Sequence, residues 1–128
     1  PSIVDHLKRH VGIPAFQCDY LAGRIDGKFD FVSLNKVLEH VEEPIQMLSN
    51  AKNNLAKDGL LYVEVPDGEA AYHAGPVREE FFIEHLHVFS KQSTIKLLEN
   101  VNLRPLKVES ILEPSGKYTI WSVAKIEN

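Results

Sequence analysis

Three short stretches concentrate side chains able to move a proton or hold a ligand. The first is Glu84-His85-Leu86-His87. Imidazole titrates near neutrality, so His85 or His87 can take a proton from a bound hydroxyl or amine, or hydrogen-bond it. The His-x-His spacing also puts both rings on one face of an extended segment, where Glu84 or His73 would add a metal ligand. No cysteine pair and no H-E-x-x-H accompanies them, so no metal is expected. The second stretch is Asn35-Lys36, followed by Glu39 and His40. Glu39 is expected to cap backbone amides and His40 to be a hydrogen-bonded packing histidine. The third is Gln17-Cys18-Asp19-Tyr20. Asp19 there either caps the next short turn or accepts from a ligand.

These groups depend on the elements that carry them. Residues 29–34 form an apolar run without polar alternation, the pattern of a strand buried on both faces. It delivers Asn35 and Lys36 to its carboxyl end, the side on which open α/β sheets bind ligands. Glu42, Glu43 and Pro44 open a helix, with acids and proline where a helix start accepts them. Ile45, Leu48 and Leu55 give it an apolar stripe, and Gly59 is expected to end it as a left-handed cap. Residues 60–65 form a second strand, stopped by Pro66. Strand, helix and strand with a short exit make a βαβ crossover, so the two strands should be parallel neighbours.

The flanks are simpler. Ser2 caps a first helix, Val4, Leu7 and Val11 share one of its faces, and Gly12 ends it. Residues 13–16 are a short strand candidate interrupted by Pro14, with Asp19 and Tyr20 just beyond its end. Residues 23–28 are a turn in which Gly27 takes a positive φ. Residues 67–86 lack a clear period, as a long loop over the substrate side would. Tyr72, His73, Phe81 and Phe82 are available there to wall a pocket, although the two phenylalanines are expected to pin the loop to the core. Ser90 caps a helix that turns Ile95, Leu98 and Val101 inward, and Asn102 suits the left-handed position after it. Residues 106–112 and 118–126 are two strands joined through 114–117 as a hairpin.

Composition narrows the classes. The 128 residues suit a single domain over 1–128, and the net charge of −4 gives no basic surface for nucleic acid. Cys18 stands alone, so no disulfide framework forms within the chain. A reducing, cytoplasmic location fits that. No apolar run approaches the ~20 residues that span a bilayer, and the N-terminus lacks a signal pattern, so no membrane partner is expected. A first residue that is proline and not methionine is expected of a fragment or processed chain.

The run FDFVSLNKVLEHVEEPIQML, with DGLLYVEVP after it, resembles the middle of a class I S-adenosylmethionine-dependent methyltransferase of the type 11/12 group. The run EHLHVFSKQSTIKLLENVNL is similar to a downstream segment of the same family. The likeness covers nearly the whole chain in the right order. The family's first strand, its G-x-G-x-G turn and the acidic residue after its second strand have no counterpart, so the chain would start just after them. The resemblance implies an α/β, Rossmann-like sheet, mostly parallel, with a C-terminal antiparallel hairpin and the N-terminal strands missing. It implies S-adenosylmethionine as cofactor and a small molecule as methyl acceptor. Asp19 would lie near the adenine amine and Tyr20 or Leu21 against the ring. Asn35 and Lys36 would run beside the methionine part, with His85 or His87 as a base or acceptor-binding group.

Methyl transfer from a sulfonium is an in-line displacement that relies on positioning, which can supply ~7–11 kcal/mol. A base is needed only where the acceptor must lose a proton. Lacking the glycine turn and the acid, the chain on its own is expected to bind the cofactor weakly and to be inactive. Lacking the first strand, residues 29–34 would expose an unpaired apolar edge, which a second copy of the chain or another fragment is expected to cover. Two other classes compete with methyl transfer. One is a non-catalytic relative used as a binding or assembly module; the other is a metal-dependent hydrolase built on His85 and His87.

Overall fold

In the computed structural model, which describes residues 2–22 and 25–127, the chain opens with the short helix α1 (Ile3–His6). Ser2 Oγ accepts from the Asp5 amide at 3.2 Å. The helix loosens into a π turn at Leu7–Val11 and stops at Gly12, whose φ of 77° is left-handed. Cap and stop are as expected, but neither segment buries a residue, so the Val4–Leu7–Val11 face is not part of the core. Residues 13–16 do not form the expected strand. Pro14 removes a donor and Phe16 stays 73% exposed, so although Ala15 is buried the segment pairs with no strand among the described residues. The turn expected at 23–28 lies partly outside the described residues; its Gly27 has a φ of 122°.

The βαβ crossover forms from β1 (Phe29–Asn35), α2 (Pro44–Asn53) and β2 (Leu55–Pro66). The strands are parallel, with Val32 opposite Leu61 and Leu34 opposite Val63. Pro44 occupies the first turn of α2, where its missing N–H costs nothing. Met47, Leu48 and Ala51 are the buried face, so of the expected stripe only Leu48 is correct: Ile45 is exposed and Leu55 already belongs to β2. Gly59 does not cap the helix. It lies inside β2, where the register jumps from Phe29 opposite Leu55 to Phe31 opposite Leu60. A Cβ on Gly59 would sit 2.8 Å from the Phe29 carbonyl oxygen, so glycine serves a close backbone approach.

The remaining strands are β3 (Leu103–Leu112) and β4 (Tyr118–Ile126), and the sheet order is β1-β2-β4-β3. The sheet is mixed: β4 runs antiparallel to both β2 and β3. Asn102 has a φ of 57° before β3, and Gly116 has 87° in the hairpin turn, so both ends of the hairpin match expectation. Ser90 and Ser93 form a reciprocal cap on α4 (Lys91–Asn100), which buries Thr94 and Leu98 while Ile95 is half-buried. Helices α2 and α4 contact each other, and their apolar faces join Leu34, Leu61, Val63, Val65, Ile120 and Ala124 in one core.

That arrangement leaves β1 buried on one side only. It is an edge strand among those described, Leu34 is its one buried residue, and Phe31 is 58% exposed. An apolar run records what needs covering, not what covers it. Across the face away from the helices, Phe31, Tyr62 and Trp121 stack in sequence with ring centroids 6.4 Å apart.

Residues 67–86 are not wholly loop. Asp67 Oδ1 accepts the Ala70 amide at 3.0 Å and starts α3 (Gly68–Ala74). A 3-10 turn, Glu79–Phe81, follows. The cap sits directly after Pro66, a helix-start signal that the two flanking glycines conceal. Among the described residues no helix is long and apolar enough to cross a membrane.

Candidate functional site

The carboxyl end of β1, the β3–β4 turn and the segment after α3 enclose a cleft of about 470 Å³. Lys36 enters it from the end of β1. Its backbone turns to a φ of 52°, its amide donates to Glu64 O at 3.0 Å, and its ammonium reaches the cleft floor. Lys36 Nζ lies 3.0 Å from Glu113 Oε1 and also donates to Thr119 Oγ1, which in turn donates to Glu113. Those hydrogen bonds, Thr119's first and then Lys36's, hold the Glu113 carboxyl below its ordinary value.

Beside this triad sits a second charged cluster. Arg78 holds the buried Glu80 carboxylate with two bonds, at 3.1 and 2.9 Å, and the Tyr118 amide donates to it at 2.9 Å. Burial pushes the Glu80 carboxyl up, but the bonds from Arg78 and the Tyr118 amide outweigh it and leave the net shift downward. A carboxyl lowered on folding stabilises the fold above its unfolded pKa, and that stabilisation is lost as pH falls through the folded value. The melting temperature is therefore expected to hold down to about pH 5 and to fall below the ordinary carboxyl value of 4.5. A thermal melt series checks this, and Glu113→Gln should shallow the acid fall. A series flat to pH 3 would contradict it.

His85 Nδ1 lies 2.9 Å from the Glu80 carbonyl and His40 Nδ1 lies 3.0 Å from the Glu84 carbonyl. A carbonyl only accepts, so each Nδ1 carries a proton, and in the neutral ring Nε2 is the nitrogen with the lone pair. The two rings meet edge-on with centroids 4.9 Å apart at the cleft wall. Beneath them Glu39 is 1% exposed, with Oε1 3.8 Å from His40 Nε2 and Oε2 without a hydrogen-bond partner among the described residues. Glu39 does bind backbone amides, but through its carbonyl and not its carboxylate. Leu86 N donates to it at 2.7 Å and His87 N at 3.3 Å, which fastens the His85 segment over the end of β1.

The His-x-His pair does not share a face, because residues 84–87 turn instead of running as a strand. His87 donates Nε2–H to the Val41 carbonyl at 3.0 Å and does not line the cleft. The hydrolase reading built on both histidines loses its geometry with that turn. Of the four side chains expected to wall a pocket, Phe82 alone lines the cleft; Tyr72 and His73 are exposed on α3.

Asp19 Oδ1 accepts the Leu21 amide at 3.0 Å and the Ala22 amide at 3.4 Å, a local turn on the surface. Tyr20 donates its hydroxyl to Asn54 Oδ1 at 2.8 Å. Asn54 O accepts Phe29 N at 2.8 Å, so that hydroxyl lies at the amino end of β1. The strand's length of about 20 Å separates it from Lys36. Asn50 and Asn54 supply the remaining bonds to this segment: Asn50 Nδ2 donates to Tyr20 O at 2.6 Å, and Asn54 Nδ2 to Ile25 O at 2.6 Å and Gly27 O at 3.0 Å. A second cleft of about 540 Å³ lies there. It is the larger, but it is at the amino end of the strand, and its asparagine amides are already taken up by backbone carbonyls and the Tyr20 hydroxyl.

The structure thus brings Lys36 and His85 together and keeps Tyr20 and His87 out of the cleft; Asn35 ends β1 beside it, exposed. Glu80, Glu113, Lys117 and Tyr118 line the cleft without any motif to signal them. Glu113, Lys117 and Tyr118 arrive because β4 pairs with β2, placing Thr119 opposite Pro66, and Glu80 comes from the 3-10 turn to accept the Tyr118 amide.

Residues 7–108 match a family model described as a methyltransferase domain. No curated protein matches the chain. Among solved structures, a S-adenosylmethionine-dependent methyltransferase from Clostridium acetobutylicum ATCC 824 is similar at a TM-score of 0.74 and 14% identity, over 97% of this chain and 70% of its own. The 1,6-didemethyltoxoflavin-N1-methyltransferase of Burkholderia thailandensis, solved with bound 1,6-didemethyltoxoflavin and S-adenosylhomocysteine, is similar at 0.67 and 18%, over 87% of this chain and 49% of its own. The N-methyltransferase NodS from Bradyrhizobium japonicum WM9, solved with S-adenosylhomocysteine, is similar at 0.68 and 16%, over 97% and 59%. Likeness at such identity is likeness of fold, and the chain spans only about half of the Burkholderia enzyme.

Proposed function

The chain belongs to the methyltransferase-domain family, and from that premise we propose that it is part of an enzyme that transfers a methyl group from S-adenosylmethionine to a small acceptor held in the Lys36–His85 cleft. The observation that carries the proposal is the His85 ring, held through Nδ1–H by the Glu80 carbonyl on the wall of a cleft at the carboxyl end of β1, which leaves Nε2 as its free nitrogen. Residues 1–128 would be one portion of that catalytic domain.

The residues present fit the cofactor in part. Asp19 is exposed and its Oδ2 bonds nothing among the described residues, so it can accept from the adenine amine. Asn35 and the turned backbone of Lys36 offer polar groups beside the methionine portion. Tyr20 is committed to Asn54 and would position the Asp19 turn instead of stacking on the ring. When bound, S-adenosylmethionine supplies an electrophilic methyl on a sulfonium. His85 Nε2 receives the acceptor's proton, or its hydrogen bond, while Phe82 and Tyr118 give flat surfaces against which an acceptor packs.

Charge narrows the acceptor. Of the five glutamates that line the cleft, Glu113 pairs with Lys36, Glu80 with Arg78 and Glu79 with Lys117, which leaves Glu39 and Glu84 as the negative excess of the protein's own groups. An anionic acceptor would meet net repulsion, so a neutral or cationic hydroxyl or amine compound is favoured. The test is release of S-adenosylhomocysteine by the full-length protein across a panel of such acceptors. Acceptor-dependent release is expected. Tight cofactor binding without release for any of them would overturn the proposal.

A further inference from the structure

Glu39, His40 and His85 meet at one point on the cleft wall, and we infer that they form a binding site for a divalent transition-metal ion of the zinc class, with one coordination position open to the cleft. One donor atom from each lies within 4.8 Å of the others. Two independent features of the three side chains point to an ion.

Both imidazoles are held as metal-ligating histidines are held. Each donates Nδ1–H to a backbone carbonyl, Glu84 O for His40 and Glu80 O for His85, which fixes the tautomer and turns the Nε2 lone pair to the ligand side. The third donor explains an anomaly. Glu39 is almost wholly buried, yet its Oε2 has no hydrogen-bond partner among the described residues. Buried carboxylate oxygens are rarely left so, and an unseen ion is one of the few physical reasons. Oε1 of the same carboxylate faces His40 Nε2, so an ion chelated by both carboxylate oxygens would be the missing partner of Oε2.

The set is also built on locked backbone. Glu39 and His40 come from the turn after β1, His85 comes from the later turn, and the amides of Leu86 and His87 on the Glu39 carbonyl bolt the two together. Two imidazoles and one carboxylate are the three-ligand pattern that leaves a fourth position on zinc for water or substrate. The same set is poor for magnesium or calcium, which favour oxygen. Tetrahedral donors at ~2.0–2.1 Å from zinc stand roughly 3.3 Å apart. Glu39 Oε1 and His40 Nε2 are 3.8 Å apart and all three donors lie within 4.8 Å, so the side chains must close by up to about 1.5 Å to complete the shell. A hydroxyl acceptor seated on the open position would release its proton to solvent more readily. That consequence rests on the methyl-transfer reading; ion binding itself does not.

The experiment is titration of the metal-free full-length protein with Co²⁺, whose visible d–d absorption reports coordination. It uses a His6→Gln/His10→Gln background, because those rings lie 5.1 Å apart on the N-terminal helix and would collect ions of their own. The expected result is a band saturating at one Co²⁺ per chain and displaced by Zn²⁺. Glu39→Gln and His85→Gln should each weaken binding more than ~100-fold, beyond what a mere supporting residue commands, while the exposed His73→Gln leaves it unchanged. No saturable band, or a band that survives both ligand substitutions, overturns the inference. A melt without metal covers misfolding: Glu39→Gln should be at least as stable as the parent, and Zn²⁺ should raise the parent's melting temperature alone. A parent indifferent to Zn²⁺ would mean an ordinary buried carboxyl and would also overturn it. Failure of acceptor-dependent S-adenosylhomocysteine release would count against methyl transfer and leave the ion result standing.

Discussion

Replacing His85 with glutamine in the full-length protein is expected to lower kcat toward a protic acceptor by about 100- to 10,000-fold, the span of a positioned base. The KM for the cofactor should change little. Glutamine can still donate to the Glu80 carbonyl but offers no basic nitrogen to the cleft, so position is kept and proton transfer is lost. His87→Gln is the contrast, because His87 donates away from the cleft to Val41 O. It should shift the melting temperature and spare kcat. Equal losses in the two variants would assign both histidines to the fold. Chelation separates the two ways His85 can act. Activity that survives chelation makes it the base; activity lost to chelation and restored by Zn²⁺ makes it a ligand.

Asn54→Ala is expected to destabilise the fold by about 2–4 kcal/mol. Asn54 is buried and makes three side-chain hydrogen bonds, to the Tyr20 hydroxyl, the Ile25 carbonyl and the Gly27 carbonyl. Each such bond contributes ~0.5–1.5 kcal/mol net, and a stranded partner adds its desolvation cost. Burial already pushes the Tyr20 phenol up, so its hydroxyl is one that notices a lost partner. The same bonds tie the Asp19–Tyr20 turn to the end of α2. Cofactor affinity should therefore fall in parallel, with kcat at saturating cofactor retained. Denaturant unfolding and cofactor titration of the same variant check both. A change below about 0.5 kcal/mol would mean that water replaces the clamp without loss.

Asn54 illustrates a signal that the sequence does not carry. An asparagine at a helix end reads as a local cap, whereas its partners here lie 34, 29 and 27 residues away. Gly59 is similar: a glycine after a helical stripe reads as a left-handed stop, but its cause is the Phe29 carbonyl on the neighbouring strand. His85 and His87 are the same residue type two positions apart, and only the turn between them decides which ring reaches the cleft.

What the sequence by itself determined was local and ordinal. Pro44 near a helix start, Ser90 before α4, Asn102 in the left-handed position and the apolar runs of β1 and β2 specify the elements, their order and the parallel crossover. Those runs, read together, also marked the family. Tertiary structure alone decided which face of β1 is covered and which groups share the cleft. Lys36 and Glu113 are 77 residues apart and meet because β4 pairs antiparallel with β2. Periodicity and capping act over a few residues through backbone geometry. Contacts closed by strand pairing carry no periodic trace along the chain.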